Sequence, residues 1–146
     1  MPPSITPKIL RMFQRRVAEI AIDPAALRNQ GAPGVAKTAR EFLATLDFLR
    51  FARCGNQSVF AEELDRQTDL LKNRFPEGAQ HWGTARKALN LFLEEAYYHR
   101  FLCEAYGLER IEEFLEVPLD SQVADFLKRR QKNNTNSCPV GTASRI

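Results

Sequence analysis

The sequence predicts an all-α fold, and three observations carry that expectation. Apolar residues recur at spacings of three and four along most of the chain, no stretch alternates apolar and polar residues as a half-buried strand would, and Gly and Pro gather in short clusters between the periodic segments. With 146 residues, 44% of them hydrophobic and 27% charged, the chain is long enough to bury one core. The expected organisation is a single compact multi-helix bundle over residues 1–130, followed by a polar tail over 131–146 whose composition is that of a disordered segment.

Each element has its own signal. From Thr6 to about Ile22, the residues Ile9, Leu10, Phe13, Val17, Ile20 and Ala21 predict a helix with one buried face, Arg11, Arg15 and Arg16 lying mostly opposite. Asp23-Pro24 ends it and starts a short turn, with Asp23 as the capping residue. Arg28 to Gly34 reads as a loop, because two glycines and a proline stand within four residues. The helical period resumes from Val35 to about Arg53. It breaks at Cys54 to Ser58, with Gly55 expected as a C-cap and Ser58 as the next N-cap.

A third helix is expected from Val59 to about Arg74, with Phe60, Leu64, Leu70 and Leu71 inward, and Phe75-Pro76-Glu77-Gly78 ends it. The long segment from about Gly83 to Tyr106 carries an apolar face wide enough for a central position in the core, and Gly107 closes it. A short helix from Leu108 to Leu115 and a last one from Asp120 or Ser121 to about Arg130 complete the pattern.

Composition narrows the function classes. The net charge of +3 permits an acidic partner without requiring one, since 21 basic residues stand against 18 acidic ones. Three widely spaced cysteines, with no C-x-x-C pair, argue against a disulfide framework and fit a reducing compartment. No apolar run approaches the roughly 18 residues of a membrane span, and the start lacks a signal-peptide core. A cytoplasmic protein without a membrane anchor is therefore expected. There is no Walker loop, dinucleotide fingerprint or Ser-His-Asp set, and no cofactor is expected.

The stretch from His81 to Ser121 holds more than helical patterning. Lys87 falls in the first turn of the long helix, where the helix dipole disfavours a cation, and Asp120 stands at a helix start, where the dipole favours an anion. The run Gly83-Thr84-Ala85-Arg86-Lys87-Ala88-Leu89-Asn90 resembles the second half of the helix-hairpin-helix element of DNA glycosylases. In that family a lysine in the first turn follows a Gly-rich hairpin, often with an asparagine three residues later. The run Val117-Pro118-Leu119-Asp120-Ser121-Gln122-Val123 is similar to the family's Val-Pro-Val-Asp-Thr-His-Val block. The spacing between the two looks most similar to the archaeal 8-oxoguanine glycosylase branch. Ala85 stands where the family usually has a second hairpin glycine, and where most members carry further helices beyond the aspartate helix this sequence reads as a polar tail.

The resemblance implies base excision from double-stranded DNA. Lys87, as a neutral amine, would attack the sugar carbon that bears a damaged base, and the resulting Schiff base would allow strand cleavage by elimination. Asp120 would stabilise positive charge on the sugar and assist proton transfer. Gly83, Thr84 and Arg86 would hold the DNA backbone, and the positive charge of Arg86 would favour the neutral amine of its neighbour. Asn29 and Gln30 would fill the gap left by a flipped base. Other readings stay open: Lys87 as a solvated helix lysine, Asp120 as an N-cap, residues 28–34 as a plain loop, and the whole chain as a non-catalytic DNA-binding or protein-interaction module. Glu95, His99 and Cys103 recur every four residues, a spacing that would align three metal ligands on a continuous helix, but a partly buried polar seam is the better account of them and no metal is expected.

Overall fold

Helix periodicity translates directly into the architecture. The computed structural model describes residues 4–23, 26–27, 33–116 and 127–131, and these contain helices and no strand. The elements in order are α1 (Pro7–Ala21), α2 (Val35–Leu43), α3 (Leu49–Ala52), α4 (Gln57–Arg74), α5 (Trp82–Tyr98), α6 (Arg100–Tyr106) and a 3-10 segment (Leu108–Phe114). Residues 127–131 are also helical. The Pro24 turn residue, the loop carrying Asn29 and Gln30, Asp120 with most of the expected last helix, and the expected tail beyond Gln131 lie outside the described residues.

α5 is the central element and packs chiefly against α4 and α1. Its buried residues Ala85, Ala88, Leu89, Phe92, Leu93 and Ala96 occupy more of the circumference than a surface helix would bury. Around it Phe48 stacks on Phe92 at 5.4 Å and meets Tyr106 at 5.1 Å, while Phe60 joins Phe51 at 5.6 Å and Phe114 at 5.7 Å. These rings tie α3, α4, α5, α6 and the 3-10 segment into one core.

Thr6 caps α1 by accepting from the Ile9 amide, with Pro7 in the first helical position. Two local expectations are met. Asp23 accepts from the Ala26 amide at 2.7 Å. Gly107 ends α6 at φ 66°, the left-handed conformation that glycine adopts without steric cost.

Others need correction. The continuous helix expected from Val35 to Arg53 is interrupted after Leu43, because the chain turns there to insert Phe48 into the core. Buried Gln14 on α1 supports this turn: its amide donates to the carbonyls of Leu43 at 2.9 Å and Leu46 at 2.8 Å. The next helix starts earlier than expected, and Asn56 rather than Ser58 caps it, accepting from the Val59 amide at 3.0 Å. Gly55 is not in the left-handed region. The segment expected to run unbroken to Tyr106 is divided at His99, whose extended backbone ends α5 and whose Nδ1 accepts from the Leu102 amide to begin α6. The element after Gly107 is a 3-10 helix.

The inward faces also differ at their edges. Ile9 and Ile20 are 40% and 51% exposed, and Leu70 is 49% exposed, while Gln14, Gln67 and Thr68 are buried in their helices. Hydrophobic spacing alone makes the buried stripe too wide, because positions near its margin satisfy the same period without facing a neighbour.

Candidate nucleic-acid interface

The candidate site begins where α4 ends. Gln80 folds back to donate to the carbonyls of Asn73 at 3.4 Å and Phe75 at 3.2 Å, and Phe75 and Ala79 are buried beneath the connection. Gly78, at φ 84°, is the residue that makes the turn. The expected Gly83 turn therefore belongs to Gly78, and Gly83 lies inside the first turn of α5 with no left-handed backbone.

Gly83 is exposed, and a Cβ added to it would meet no atom within 4 Å. His81 occupies the N-cap position without placing its side chain on the first-turn amides. Lys87 stands one turn further on the same side of the helix as Gly83, half-buried. Among the described residues its amine has no hydrogen bond or ion pair. Thr84, the neighbour expected to touch DNA, is buried on the inner face of α5.

Arg86 has a different environment. Its Nε and Nη2 donate to the two carboxylate oxygens of Glu116 at 2.9 and 2.8 Å, and its Nη1 donates to Asp65 at 2.7 Å and to Thr68 Oγ1 at 3.3 Å. The guanidinium also lies over the Trp82 ring, 5.0 Å from its centroid. Asn90 donates to the same Glu116 carboxylate at 2.9 Å. Partial burial opposes the charge of Arg86, but the hydrogen bonds it donates to Glu116 and Asp65 outweigh it and hold the guanidinium more firmly protonated than usual. The same bond from Arg86, reinforced by Asn90 against some desolvation, keeps the Glu116 carboxyl below the ordinary carboxylate range. The positive charge expected to act on Lys87 is thus matched by two carboxylates on its far side.

The structure brings Gly83 and Lys87 to one surface and turns Thr84 and Arg86 to other faces of α5. Asn29, Gln30 and Asp120 lie outside the described residues, as does the Lys87–Asp120 pairing. The break at His99 also dissolves the linear alignment of Glu95, His99 and Cys103. Among the described residues no group of three metal-ligating side chains comes together. Burial, followed by the nearby Glu109 charge, pushes the Cys103 thiol up, so it is poorly suited to act as a thiolate.

One residue of this region, Glu116, escaped sequence reasoning. Glu116 carries no local mark, because an acid at the end of a short acidic helix reads as solvated surface. Asn90 was visible as the glycosylase-like asparagine, yet its partner lies 26 residues away. No protein family, no curated protein and no solved structure matches this chain, so any functional reading stands on this geometry and on the motif resemblance alone.

Proposed function

We propose that this chain binds DNA at the start of α5 and acts there as a base-excision glycosylase with AP lyase activity through Lys87. The observation that carries the reading is the surface shared by Gly83 and Lys87. The glycine leaves open space for close backbone approach, and the lysine amine one turn away is not committed to any carboxylate among the described residues. A phosphate near the first turn of α5 would meet the positive end of the helix dipole. Lys87 Nζ would then attack the sugar carbon bearing the damaged base, the base would depart with its bonding electron pair and take up the proton lost by the amine, and the bond from that carbon to the ring oxygen would open, the oxygen being protonated, to leave the Schiff base. Asp120 takes the role of stabilising the cationic sugar in this scheme.

A second reading is favoured by the Arg86 cluster. A guanidinium held by Glu116 and Asp65 serves the fold rather than a phosphate, which suits a helical module that binds without catalysis.

Borohydride trapping on duplex DNA containing 8-oxoguanine, uracil or an abasic site separates the two. Borohydride reduces a Schiff base to a stable bond, so the catalytic reading expects a covalent adduct that disappears in Lys87→Ala. DNA binding without an adduct would leave the non-catalytic module, and absence of both would remove DNA from the function altogether.

A further inference from the structure

A groove of about 780 Å³ lies between α1 and α6. Its walls are mostly apolar, with Ile9, Leu10 and Phe13 on the α1 side and Phe101 and Ala105 on the α6 side. Ile9 and Phe101 are each 40% exposed, and Phe13 stacks on Phe101 at 5.4 Å with the rings nearly parallel, so the two helices share one aromatic wall. Ile20, 51% exposed, extends the strip along α1, since positions 9, 13 and 20 follow the helical spacing of four and seven.

The charged lining is one cation and one anion, Arg100 and Glu104. They stand one turn apart on α6, with side chains 79% and 66% exposed, and Arg100 Nε meets Glu104 Oε1 at 3.3 Å. An ion pair this open to solvent holds its members weakly. It does restrict what can sit on the groove, because a partner of either sign alone would be repelled by one of the two. Arg11 and Arg15 project from the opposite side of α1 and stay outside it. An apolar strip flanked by one charge of each sign is matched by the same strip turned through a two-fold axis.

We infer that this groove is the interface of a homodimer, with a second copy of the chain seated on it about a two-fold axis. Two α6 helices laid antiparallel bring Arg100 of each copy to Glu104 of the other, because residues four apart lie about 6 Å apart along a helix and exchange places under the rotation. Two pairs within the chains are thereby replaced by two pairs between them, and no charge of the lining is left alone. Phe101 of each copy covers the apolar groove of the other, and Ala105, the small residue of the lining, leaves room for the ring. Removing these apolar side chains from water drives the association. The inference is independent of the Lys87 chemistry, because neither α1 nor α6 takes part in that scheme.

Sedimentation velocity on the full chain, over concentrations of about 1 to 200 µM, should show a monomer–dimer equilibrium with a Kd on the order of 10 µM. Phe101→Glu should weaken it at least about tenfold. Arg100→Glu makes both charged positions acidic and Glu104→Arg makes both basic, so each variant alone should self-associate about tenfold more weakly. A mixture of these two variants should form a heterodimer, and the double exchange Arg100→Glu/Glu104→Arg should dimerise like the parent. The exchanged side chains are exposed, and far-ultraviolet circular dichroism checks that each variant keeps its helix content. A chain that stays monomeric throughout overturns the inference, and so does a dimer indifferent to these substitutions. Failure of both the mixture and the double exchange to restore association would equally overturn the two-fold pairing of α6. A borohydride adduct formed by the parent should persist in the Phe101→Glu variant, which keeps the two proposals separable.

Discussion

Arg86 joins three segments that the sequence holds far apart. Its side chain is only 13% exposed, while Asp65 and Glu116 are 58% and 43% exposed, so the cluster is screened on its acidic side. The bidentate geometry to Glu116 favours order over a loose surface pair, but solvent access limits its contribution to about 1 kcal/mol. Because the folded Glu116 carboxyl is held below its usual range, its stabilising effect is present above that range and is lost as the pH falls through the lowered value. Glu116→Gln should therefore lower stability at neutral pH by about 1 kcal/mol and flatten the acid limb of the stability profile. Urea unfolding at a series of pH values measures both effects, and an acid limb as steep as that of the parent would remove Glu116 from the cause.

At the scale of elements, the decisive events are interruptions. At the end of α2, buried Gln14 donates to the carbonyl of Leu43, which also accepts from the Leu46 amide, and to the carbonyl of Leu46. Gln14→Leu keeps the volume approximately but removes the side-chain donor to the Leu46 carbonyl and one of the two donors to Leu43, which should cost about 2 kcal/mol. The expected signature is a lower urea midpoint with an unchanged slope. If the midpoint did not move, water would be replacing the amide, and the turn would not depend on Gln14. The break at His99 follows similar logic, since its ring caps α6 and packs 4.9 Å from Phe13, binding the new helix to α1. That placement also stacks Phe101 on Phe13 at 5.4 Å.

Across the whole molecule, Phe48 is the side chain on which several elements converge. It is 1% exposed and touches the rings of Phe92 and Tyr106, so it couples the turn after α2 to α5 and α6. Phe48→Ala should destabilise the chain by roughly 3–5 kcal/mol through lost burial and the cavity left behind. Thermal unfolding followed at once by near- and far-ultraviolet circular dichroism would test this. A small loss, or loss of tertiary signal confined to one part, would mean that the aromatic cluster is not shared by the whole core. No helix among the described residues is long and apolar enough to cross a membrane.

The sequence by itself determined the helical class, the principal buried positions, the Asp23 turn and the Gly107 stop, because periodicity and capping act over a few residues. It also displayed Lys87 and Gly83 as a pair one helical turn apart. Where long helices break, it was ambiguous: Val35 to Arg53 and Gly83 to Tyr106 each keep an unbroken apolar period, and the forces that divide them come from Gln14, Phe48 and Phe13 in other elements or turns. The partners of Arg86 were likewise invisible, since an ion pair forms between side chains that packing brings together, whatever their separation along the chain. Tertiary structure alone decided which cations meet a carboxylate within the fold, Arg86 with Asp65 and Glu116 being the long-range case.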